Sequence, residues 1–323
     1  MIIRDQIHGS MEFSELEMKI IDTPEFQRLR RIKQLSFAYL VYPGANHTRF
    51  EHSLGTAHLS GTIARRLGLD KETIAKIRLY GLLHDIGHVA FSHEGEEALK
   101  DYLGDHEEIG RNKIVKGEIA DSISEQYSPK EIAGFEKSDY GAIITSDLGA
   151  DRMDYLKRDS TNTGVAYGVV DIDRIVHTLL LEKNKNKREL CISHGGLEAA
   201  EYLLVARFMM FSAVYLHKTV RIATAMLYKA VEGAIEKGGA DPKEFSTFDD
   251  QKALEMFAGS KSEQARRYAK AIIERRLYKE ICTFSREEFR IGGAKIGALE
   301  EKLTEKFGFD ILIDYPKEFF KPV

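Results

Sequence analysis

The segment from Gly81 to His93 constrains this chain more than any other, because three histidines and one aspartate lie within ten of its residues, among apolar side chains. The chain has 11 histidines, and seven of them lie between His47 and His106. Polar side chains in an apolar segment must find partners when the chain folds. We therefore expect the fold to bring this segment into a polar site that carries the chemistry of the protein.

Most of the remaining sequence has the apolar spacing and the capping residues of α-helices. Thr23, Pro24 and Glu25, for example, supply the N-cap, the first-turn proline and the early acid of a helix start. We predict an all-α, mainly helical fold with a few short β-strands. The individual predictions are a strand or hairpin over 2–13, a helix through Ile21 that Ser14 can cap, a helix over 50–67, a helix that ends at 84–85 and a loop over 160–168. Further along, they are a helix or a helix followed by a strand over 171–181, a strand over 190–193 and a long helical region over 196–237 that is kinked or broken near 212.

Charge and composition exclude several functional classes. The formal net charge of −4 gives no basic footprint, so we expect no nucleic-acid partner, whereas small anionic substrates remain compatible. The first residues lack the apolar region of a signal peptide, and no run of about 18 apolar residues could span a membrane. The two cysteines have no metal or redox spacing, which fits a reducing compartment. We therefore expect a cytoplasmic protein without a membrane partner.

His84 and Asp85 are adjacent at the predicted end of a helix, where their side chains would diverge by about 100° and hold one ion between them. Imidazole and carboxylate ligands suit Mn, Fe, Zn, Ni or Co, and the carboxylate could also bridge to Mg²⁺ on substrate phosphates. The other ligands must come from elsewhere in the chain, and His52 and Asp151 are the best candidates. The sequence thus predicts a site for a divalent transition metal.

The chain shows no internal repeat, low-complexity tract or proline-rich linker that would mark a domain boundary. Length alone does not choose between one large core and two small ones. We predict one mainly helical domain over 1–323. Within it, 45–165 would form the metal-binding core, and 170–323 a helical C-terminal extension packed on that core.

Four stretches of the sequence resemble one known family, the HD-domain phosphohydrolases, which hold a metal with a His…His-Asp…Asp set. The stretches are Ile21–Arg30, Thr48–Gly55, Leu83–His93 and Asp151–Asp159. Within that superfamily the chain looks most like the deoxynucleoside triphosphate (dNTP) triphosphohydrolases of the sterile-alpha-motif/HD-domain type, without the sterile-alpha-motif domain. The resemblance covers about residues 3 to 230 and is strongest in the first 165.

The resemblance assigns roles to particular residues of this chain. It implies that His52, His84, Asp85 and Asp151 bind the metal, that His93 and His106 are the acid–base residues with Glu107 orienting His106, and that Arg49 belongs to the catalytic set. It places phosphate contacts at Arg49, Arg152, Arg207 and Lys218, sugar contacts at Tyr155, Asp159 and Tyr215, and the base beside Gln34 and Leu35. His88 joins the substrate-binding set, with a supporting role around the metal or an ordinary polar role as the alternatives.

The resemblance also implies regulation by a guanine nucleotide. Asp22, Gln27, Arg30 and Phe50 match a guanine-selective effector pocket for GTP or dGTP, with hydrogen-bonding groups for the base edge and an aromatic face for stacking. The alternative is that Asp22 only begins a turn and that Arg30 lies on a solvated helix face. If the pocket works, it would lie at a subunit contact, so we expect a homo-oligomer, a dimer or a tetramer.

The predicted reaction is the hydrolysis of a dNTP to a deoxynucleoside and triphosphate. A bound metal lowers the pKa of water toward about 7 and so supplies hydroxide for in-line attack on the α-phosphorus, while His93 would protonate the leaving 5′ oxygen. A triphosphate carries up to about four negative charges, which clustered Arg and Lys side chains would neutralise. The alternatives are another HD-domain reaction on nucleoside monophosphates, alarmones or cyclic nucleotides, a non-catalytic nucleotide-binding module, and nucleic-acid hydrolysis.

Overall fold

The computed structural model describes residues 1–184, 187–284 and 296–315, and these residues fold mainly into α-helices. Contacts divide the chain into two compact units. The first comprises Met1–Tyr215 and Asp241–Ala253, and the second comprises the described parts of Leu216–Ala240 and Leu254–Val323. The described strands form only two two-stranded sheets, which confirms the predicted all-α class with a few short strands. The single-domain organisation stays a prediction.

The helices and strands follow one another in a simple order. The first half contains β1 (Ile2–Asp5), β2 (Gly9–Glu12), α1 (Glu15–Ile21), α2 (Pro24–Arg28), α3 (Arg49–Arg66), α4 (Lys71–Leu83), α5 (Ser92–Leu103), α6 (His106–Ile114), α7 (Gly117–Ser124), α8 (Pro129–Ala133) and α9 (Ala142–Thr145). The second half contains α10 (Ala150–Thr163), α11 (Ile172–Thr178), β3 (Leu179–Asn184), β4 (Lys187–Ile192), α12 (Leu197–Met210), α13 (Lys218–Glu236), α14 (Asp250–Ala258), α15 (Glu263–Ile273) and α16 (Ile296–Phe307).

The predicted N-terminal hairpin and the helix that follows it are confirmed. Strands β1 and β2 pair antiparallel, with Ile2 opposite Glu12 and Asp5 opposite Gly9. Ser14 then caps α1 in a capping box, because its hydroxyl accepts from the backbone of Glu17 while the Glu17 carboxylate accepts from the backbone of Ser14. This exchange fixes where the chain leaves the hairpin.

Helix α3 lies at the centre of the first unit and packs against both α4 and α10. It is buried on most of its surface, because two hydrophobic clusters flank it: one includes Leu54 and the other includes Ile63. Gly55 permits the close approach of α10, since a Cβ there would lie 1.9 Å from Asp154 Oδ1. The packing therefore brings polar residues of α3 and α10 together inside the unit.

Several predicted boundaries differ from the observed ones. The loop predicted over 160–168 is wrong in part, because α10 continues to Thr163 before Gly164 caps it with a φ of 75°. The hydroxyls and amide of 161–163 donate back to carbonyl oxygens one turn earlier, which lengthens the helix. Of the two alternatives predicted for 171–181, the helix followed by a strand is observed, because α11 ends at Thr178 and β3 begins there and pairs with β4.

The break predicted near 212 is confirmed. A turn of π-helix, Phe211–Tyr215, follows α12 before α13 begins at Lys218. Within the described residues, no single helix is long and apolar enough to cross a membrane; the consecutive segments His194–Tyr215 and Lys218–Glu236 meet that length and composition criterion only when taken together.

The second unit is built around α13 and α15, which pack against each other. Ion pairs attach its C-terminal segment to α13: Lys229 Nζ lies 2.9 Å from Glu300 Oε2, and Arg221 Nη2 lies 2.6 Å from Asp314 Oδ1. These pairs are partly buried, so they fix the position of α16 and of the chain that follows it.

Candidate functional site

Four donor groups from three segments of the first unit converge on one point. His52 lies on α3, His84 and Asp85 directly follow α4, and Asp151 lies in the first turn of α10. His52 Nε2 lies 3.1 Å from Asp151 Oδ1 and 3.6 Å from Asp85 Oδ2, and His84 Nε2 lies 3.4 Å from Asp85 Oδ1 and 3.7 Å from Asp151 Oδ1. Donor atoms at these separations suit ligands placed about 2.0–2.2 Å from one shared metal ion.

The ring of His84 tests whether these residues fit a metal. Its Nδ1 lies 2.8 Å from the carbonyl oxygen of Gly81, which fixes the proton on Nδ1 and leaves the lone pair on Nε2. That Nε2 is buried and has no hydrogen-bond partner among the described residues. A buried lone pair without a partner, aimed at three other donors, is what a metal ligand presents. The residues therefore fit a divalent cation.

His52 is oriented by a carboxylate that the sequence analysis did not single out. Its Nδ1 lies 2.8 Å from Asp154 Oδ2, so its Nε2 faces the other donors. Asp154 is itself held by Arg158, at 2.9 Å, and by His8 of the N-terminal hairpin, whose Nε2 lies 2.6 Å from Asp154 Oδ1. Arg158 also pairs with Asp5 at 2.8 Å. Residues of the N-terminal hairpin thus hold Asp154 and Arg158 in place, and Asp154 orients the candidate metal ligand His52.

The charges of the site are arranged for a cation. Burial opposes protonation of His52, but hydrogen bonds to Asp151 and Asp154 outweigh it and raise the pKa of His52 to about 10. Burial also opposes ionisation of Asp85, yet the Arg49 guanidinium and the nearby imidazoles hold its pKa well below the usual range. The pKa of Asp151 is likewise lowered, because its hydrogen bonds to the imidazoles outweigh burial. The carboxylates are therefore ionised at neutral pH.

A second group of side chains, the imidazole cluster of His88, His93, Glu96 and His106, lies beside these donors. His88 Nε2 is 3.4 Å from Asp85 Oδ1, and its ring stacks on that of His106 with 4.0 Å between centroids. Glu96 Oε2 lies 2.8 Å from His106 Nδ1 and 3.3 Å from His93 Nδ1. Burial lowers the pKa of His106, but the hydrogen bond that its ring donates to the Glu96 carboxylate outweighs burial and raises that pKa overall. Such carboxylate–imidazole pairs can hold and deliver protons.

Glu96, and not the predicted Glu107, is the carboxylate that lies within hydrogen-bond distance of the His106 ring. The Glu107 carboxylate lies 3.5 Å from Arg111 Nη1, one turn along α6. Successive residues of a helix point about 100° apart, so Glu107 and His106 face different directions. A signal for Glu96 was present, because residues at i and i+3 share a helix face and Glu96 follows His93 at that spacing.

Arg49 links the metal-type donors to the loop between α4 and α5. It is buried, its Nη1 contacts the Asp85 carboxylate, and its Nε donates to Ser92 Oγ at 2.7 Å. Ser92 Oγ donates in turn to the carbonyl oxygen of Lys33 at 2.7 Å. A guanidinium fixed in this way places positive charge next to the site, which agrees with the predicted role in binding an anionic substrate.

The same loop is held in an unusual backbone conformation. Phe91 and Ser92 have backbone φ angles of 64° and 57°, which residues other than glycine rarely adopt. Arg28 Nη2 donates to two carbonyl oxygens of the loop, at 3.2 and 2.7 Å. Asp250 accepts from the backbone N–H groups of Phe91 at 2.7 Å and of Lys33 at 2.9 Å. Sequence reasoning missed these supporting residues, because they are distant along the chain.

Two of the three residues predicted to contact the sugar are hydrogen-bonded to each other. Tyr215 Oη donates to Asp159 Oδ2 at 2.6 Å, and His47 Nε2 lies 2.8 Å from Asp159 Oδ1. The ring of Tyr155 lies edge-on to His52, with 6.5 Å between centroids. His47 was not predicted, and the sugar contacts themselves stay a prediction.

Two of the predicted phosphate-binding cations share a partner. Arg152 contacts the carboxylate of Asp147, and Arg207 Nη1 lies 3.5 Å from Asp147 Oδ1. Lys218 begins α13 in the second unit. On the predicted base side, the buried Oε1 of Gln34 has no hydrogen-bond partner among the described residues, while Leu35 is half-buried against one of the hydrophobic clusters.

Three of the four predicted effector residues contact one another. Arg30 Nε donates to Gln27 Oε1 at 2.8 Å, and the Arg30 guanidinium lies 3.5 Å from the centre of the Phe50 ring. Asp22 is exposed and ends α1, next to the carbonyl oxygen of Ile21 that accepts from Gln27 Nε2. Phe50 is buried and its face is covered, so a guanine could stack on it only after Arg30 moved away.

Comparison with known proteins agrees with this geometry. A family model described as "HD domain" matches residues 49–159, and one described as "HD associated region" matches residues 170–320. The crystal structure of a hypothetical protein from Aquifex aeolicus has a TM-score of 0.78 and is 33% identical, covering 95% of this chain and 82% of that one. The shared fold therefore extends over nearly the whole sequence.

Two curated relatives show how far the likeness extends. An uncharacterized protein from Methanocaldococcus jannaschii is 42% identical over 98% of this chain and 69% of its own length. A deoxynucleoside triphosphate triphosphohydrolase SAMHD1 homolog from Dictyostelium discoideum is 30% identical over 86% of this chain, which spans 59% of that protein. Together with the grouping of His52, His84 and Asp85 and the proximity of Asp151 to both imidazoles, these matches show that the chain belongs to the HD-domain superfamily of metal-dependent phosphohydrolases.

Proposed function

We propose that this protein hydrolyses a dNTP to a deoxynucleoside and triphosphate. The observation that carries the proposal is the contact between the two groups of the site. Asp85 belongs to the metal-type donors, and its Oδ1 lies 3.4 Å from His88 of the imidazole cluster. Proton-carrying groups therefore lie directly beside a place for a divalent cation, as hydrolysis of a phosphate ester requires.

Each group has a definite task in this reaction. When bound, a divalent metal such as Mn, Fe, Zn, Ni or Co supplies positive charge and activates water. Arg49 faces the substrate phosphate from its fixed position against Asp85 and Ser92. Water attacks the α-phosphorus, the bond from phosphorus to the 5′ oxygen breaks, and His93 donates a proton to that oxygen. Glu96 keeps the His93 and His106 imidazoles in position for proton transfer.

The choice of a triphosphate rests on the cations near α10. Arg152 and Arg207 both contact Asp147, and that carboxylate holds them together without a ligand. Substrate phosphates would replace Asp147 as their partner and would gain charge-assisted hydrogen bonds. We assign the phosphates beyond the α-phosphate to Arg207, the sugar to Tyr155, Asp159 and Tyr215, and the base to the neighbourhood of Gln34 and Leu35. The assignment of Lys218 as a further phosphate contact rests on the family resemblance alone.

The relatives support the same substrate. The proteins from Dictyostelium discoideum and Gallus gallus, 30% and 28% identical to this chain, are both named as deoxynucleoside triphosphate triphosphohydrolases. By the same likeness we propose that the protein is a homo-oligomer whose assembly and activity respond to GTP or dGTP at Asp22, Gln27, Arg30 and Phe50. Effector binding would begin with the departure of Arg30 from the Phe50 ring.

One experiment tests the proposal directly. The purified protein is analysed for bound metal and is then incubated with dNTPs, nucleoside monophosphates, an alarmone and cyclic dinucleotides, each with Mg²⁺. We expect a deoxynucleoside and triphosphate from the dNTPs and slow or no turnover of the others. Turnover of monophosphates or cyclic nucleotides in preference to dNTPs would instead assign another reaction of the superfamily. Asp139→Asn, a change at an exposed position, is the control variant and should retain full activity.

A further inference from the structure

We propose that the imidazole cluster is itself a second metal site, which takes a divalent ion of the zinc class and whose occupation inhibits hydrolysis. The metal-binding part stands on the geometry of His88, His93, Glu96 and His106. The inhibitory part rests on the proposed function, because it requires that His93 and His106 carry protons in the reaction.

The cluster has the dimensions of a metal site. One ligand atom from each of its four residues lies within 4.8 Å of every other. His93 and Glu96 project from one face of α5, His106 begins α6, and His88 lies in the loop that precedes α5. The ring centroid of His88 lies 4.8 Å from that of His93 and 4.0 Å from that of His106. Rotation of these side chains, including the unstacking of the His88 and His106 rings, would bring the four atoms within about 2.0–2.2 Å of one ion.

The donors are of the right chemical kind. Three imidazoles and one carboxylate form a set that zinc and its neighbours in the first transition series bind well, in preference to Mg²⁺ or Ca²⁺. Glu96 is already fixed at the centre of the set, since one of its oxygens contacts both His93 and His106 and the other accepts from the backbone N–H of His106 at 3.2 Å.

An independent observation indicates that a ligand is needed here. The side chain of His88 is 1% exposed, and neither of its ring nitrogens makes a well-formed hydrogen bond among the described residues, although Asp85 Oδ1 lies 3.4 Å from Nε2. A buried imidazole whose nitrogens lack well-formed hydrogen bonds is costly, and a metal ion would satisfy one of them. His93 is 68% exposed, so an ion can reach the cluster from solvent.

The second site is distinct from the first, because the two share no ligand: the first uses His52, His84, Asp85 and Asp151. An ion in the imidazole cluster would take up the nitrogen lone pairs that otherwise accept and deliver protons. His93 could then no longer protonate the leaving oxygen. Excess zinc should therefore inhibit the enzyme while the first metal stays bound.

Metal stoichiometry tests the binding part of the proposal without substrate. The whole protein is dialysed against buffered zinc and its metal content is measured per chain. We expect two equivalents in the wild type and in the control Asp101→Asn, which changes an exposed carboxylate on the same helix. We expect one equivalent in Glu96→Gln and in His93→Gln at the same free zinc, with second-site affinity reduced more than about 100-fold, because a ligand is lost rather than a supporting group. His93 is exposed, so that variant keeps its packing.

Inhibition by zinc tests the functional part. Wild type and Asp101→Asn, assayed on a dNTP, should lose activity as the second equivalent binds, whereas the residual activity of His93→Gln should not fall further. One equivalent in the wild type, or two in both ligand variants, would overturn the second site. Two equivalents with undiminished dNTP hydrolysis would overturn the inhibition. Two equivalents in a protein that hydrolyses no dNTP would uphold the second site and refute the proposed function instead.

Discussion

Replacing Asp154 by asparagine should weaken metal binding although no metal ligand is changed. Both oxygens of Asp154 accept from Arg158, at 2.9 Å each, while Oδ2 also faces His52 Nδ1 and Oδ1 faces His8. Asparagine has one accepting oxygen and one donating amide, so one side must place a donor against a donor. Either His52 loses the hydrogen bond that orients it, or Arg158 loses one of its hydrogen bonds to residue 154. Each loss weakens the hydrogen bonding that holds His52 in position.

The size of the effect follows from this arrangement. Loss of the partner that orients a metal-bound imidazole costs about 10- to 100-fold in metal affinity. That range corresponds to about 1.4–2.7 kcal/mol. The affinity can be measured by competition with a chelator of known strength, for Asp154→Asn, for the wild type and for the exposed control Asp139→Asn. Cooperative thermal unfolding of each variant shows whether it is folded.

A folded Asp154→Asn protein that binds metal as tightly as the wild type would refute the reasoning. It would mean that packing alone orients His52 and that its 2.8 Å contact with Asp154 contributes nothing to the metal site. Weak binding in Asp139→Asn as well would assign the effect to overall charge rather than to orientation.

Three further predictions concern separate parts of the site. His93→Gln should lower the turnover number by about 10²- to 10⁴-fold while the first metal equivalent stays bound, because a proton donor and not a first-site ligand is lost; loss of that equivalent would show that His93 is one of its ligands. Arg207→Ala should raise KM for a dNTP by about 10- to 100-fold and leave the inhibition constant of a nucleoside monophosphate unchanged, since only the longer phosphate chain reaches Arg207; equal effects on both would remove its phosphate role. Burial raises the pKa of Asp250 from 3.8 to about 6, so the protonated form contributes stability that is present below about pH 4 and is lost as the pH rises through about 6. Urea unfolding at several pH values should show a decline of up to about 3 kcal/mol over that window relative to Asp250→Asn, and parallel curves would contradict the pKa shift.

The metal-type donors could be predicted from sequence because local motifs carry them. His84 and Asp85 are adjacent, and a helix cap places both side chains at the end of α4. His52 and Asp151 lie in motifs that also resemble the family. The helical class followed from capping residues such as Ser14 and Thr23, whose hydroxyls accept from the backbone in the structure.

The supporting residues could not be predicted, because tertiary packing alone brings them to the site. His8 and Asp154 are 146 positions apart, and Asp250 lies 159 positions from the Phe91 amide that it accepts from. The family resemblance assigned the orienting role to Glu107, but neighbouring residues of a helix point about 100° apart, so the Glu107 side chain faces away from that of His106.

Hydrolysis in water enriched in ¹⁸O tests the central claim most directly. The metal-loaded protein is incubated with a dNTP, and the masses of both products are measured by mass spectrometry. Attack at the α-phosphorus with loss of the 5′ oxygen predicts one ¹⁸O atom in the triphosphate and none in the deoxynucleoside, and no product at all from Asp85→Ala, which lacks an anionic metal ligand. A deoxynucleoside monophosphate with pyrophosphate, ¹⁸O in the deoxynucleoside, or full activity in Asp85→Ala would contradict the account.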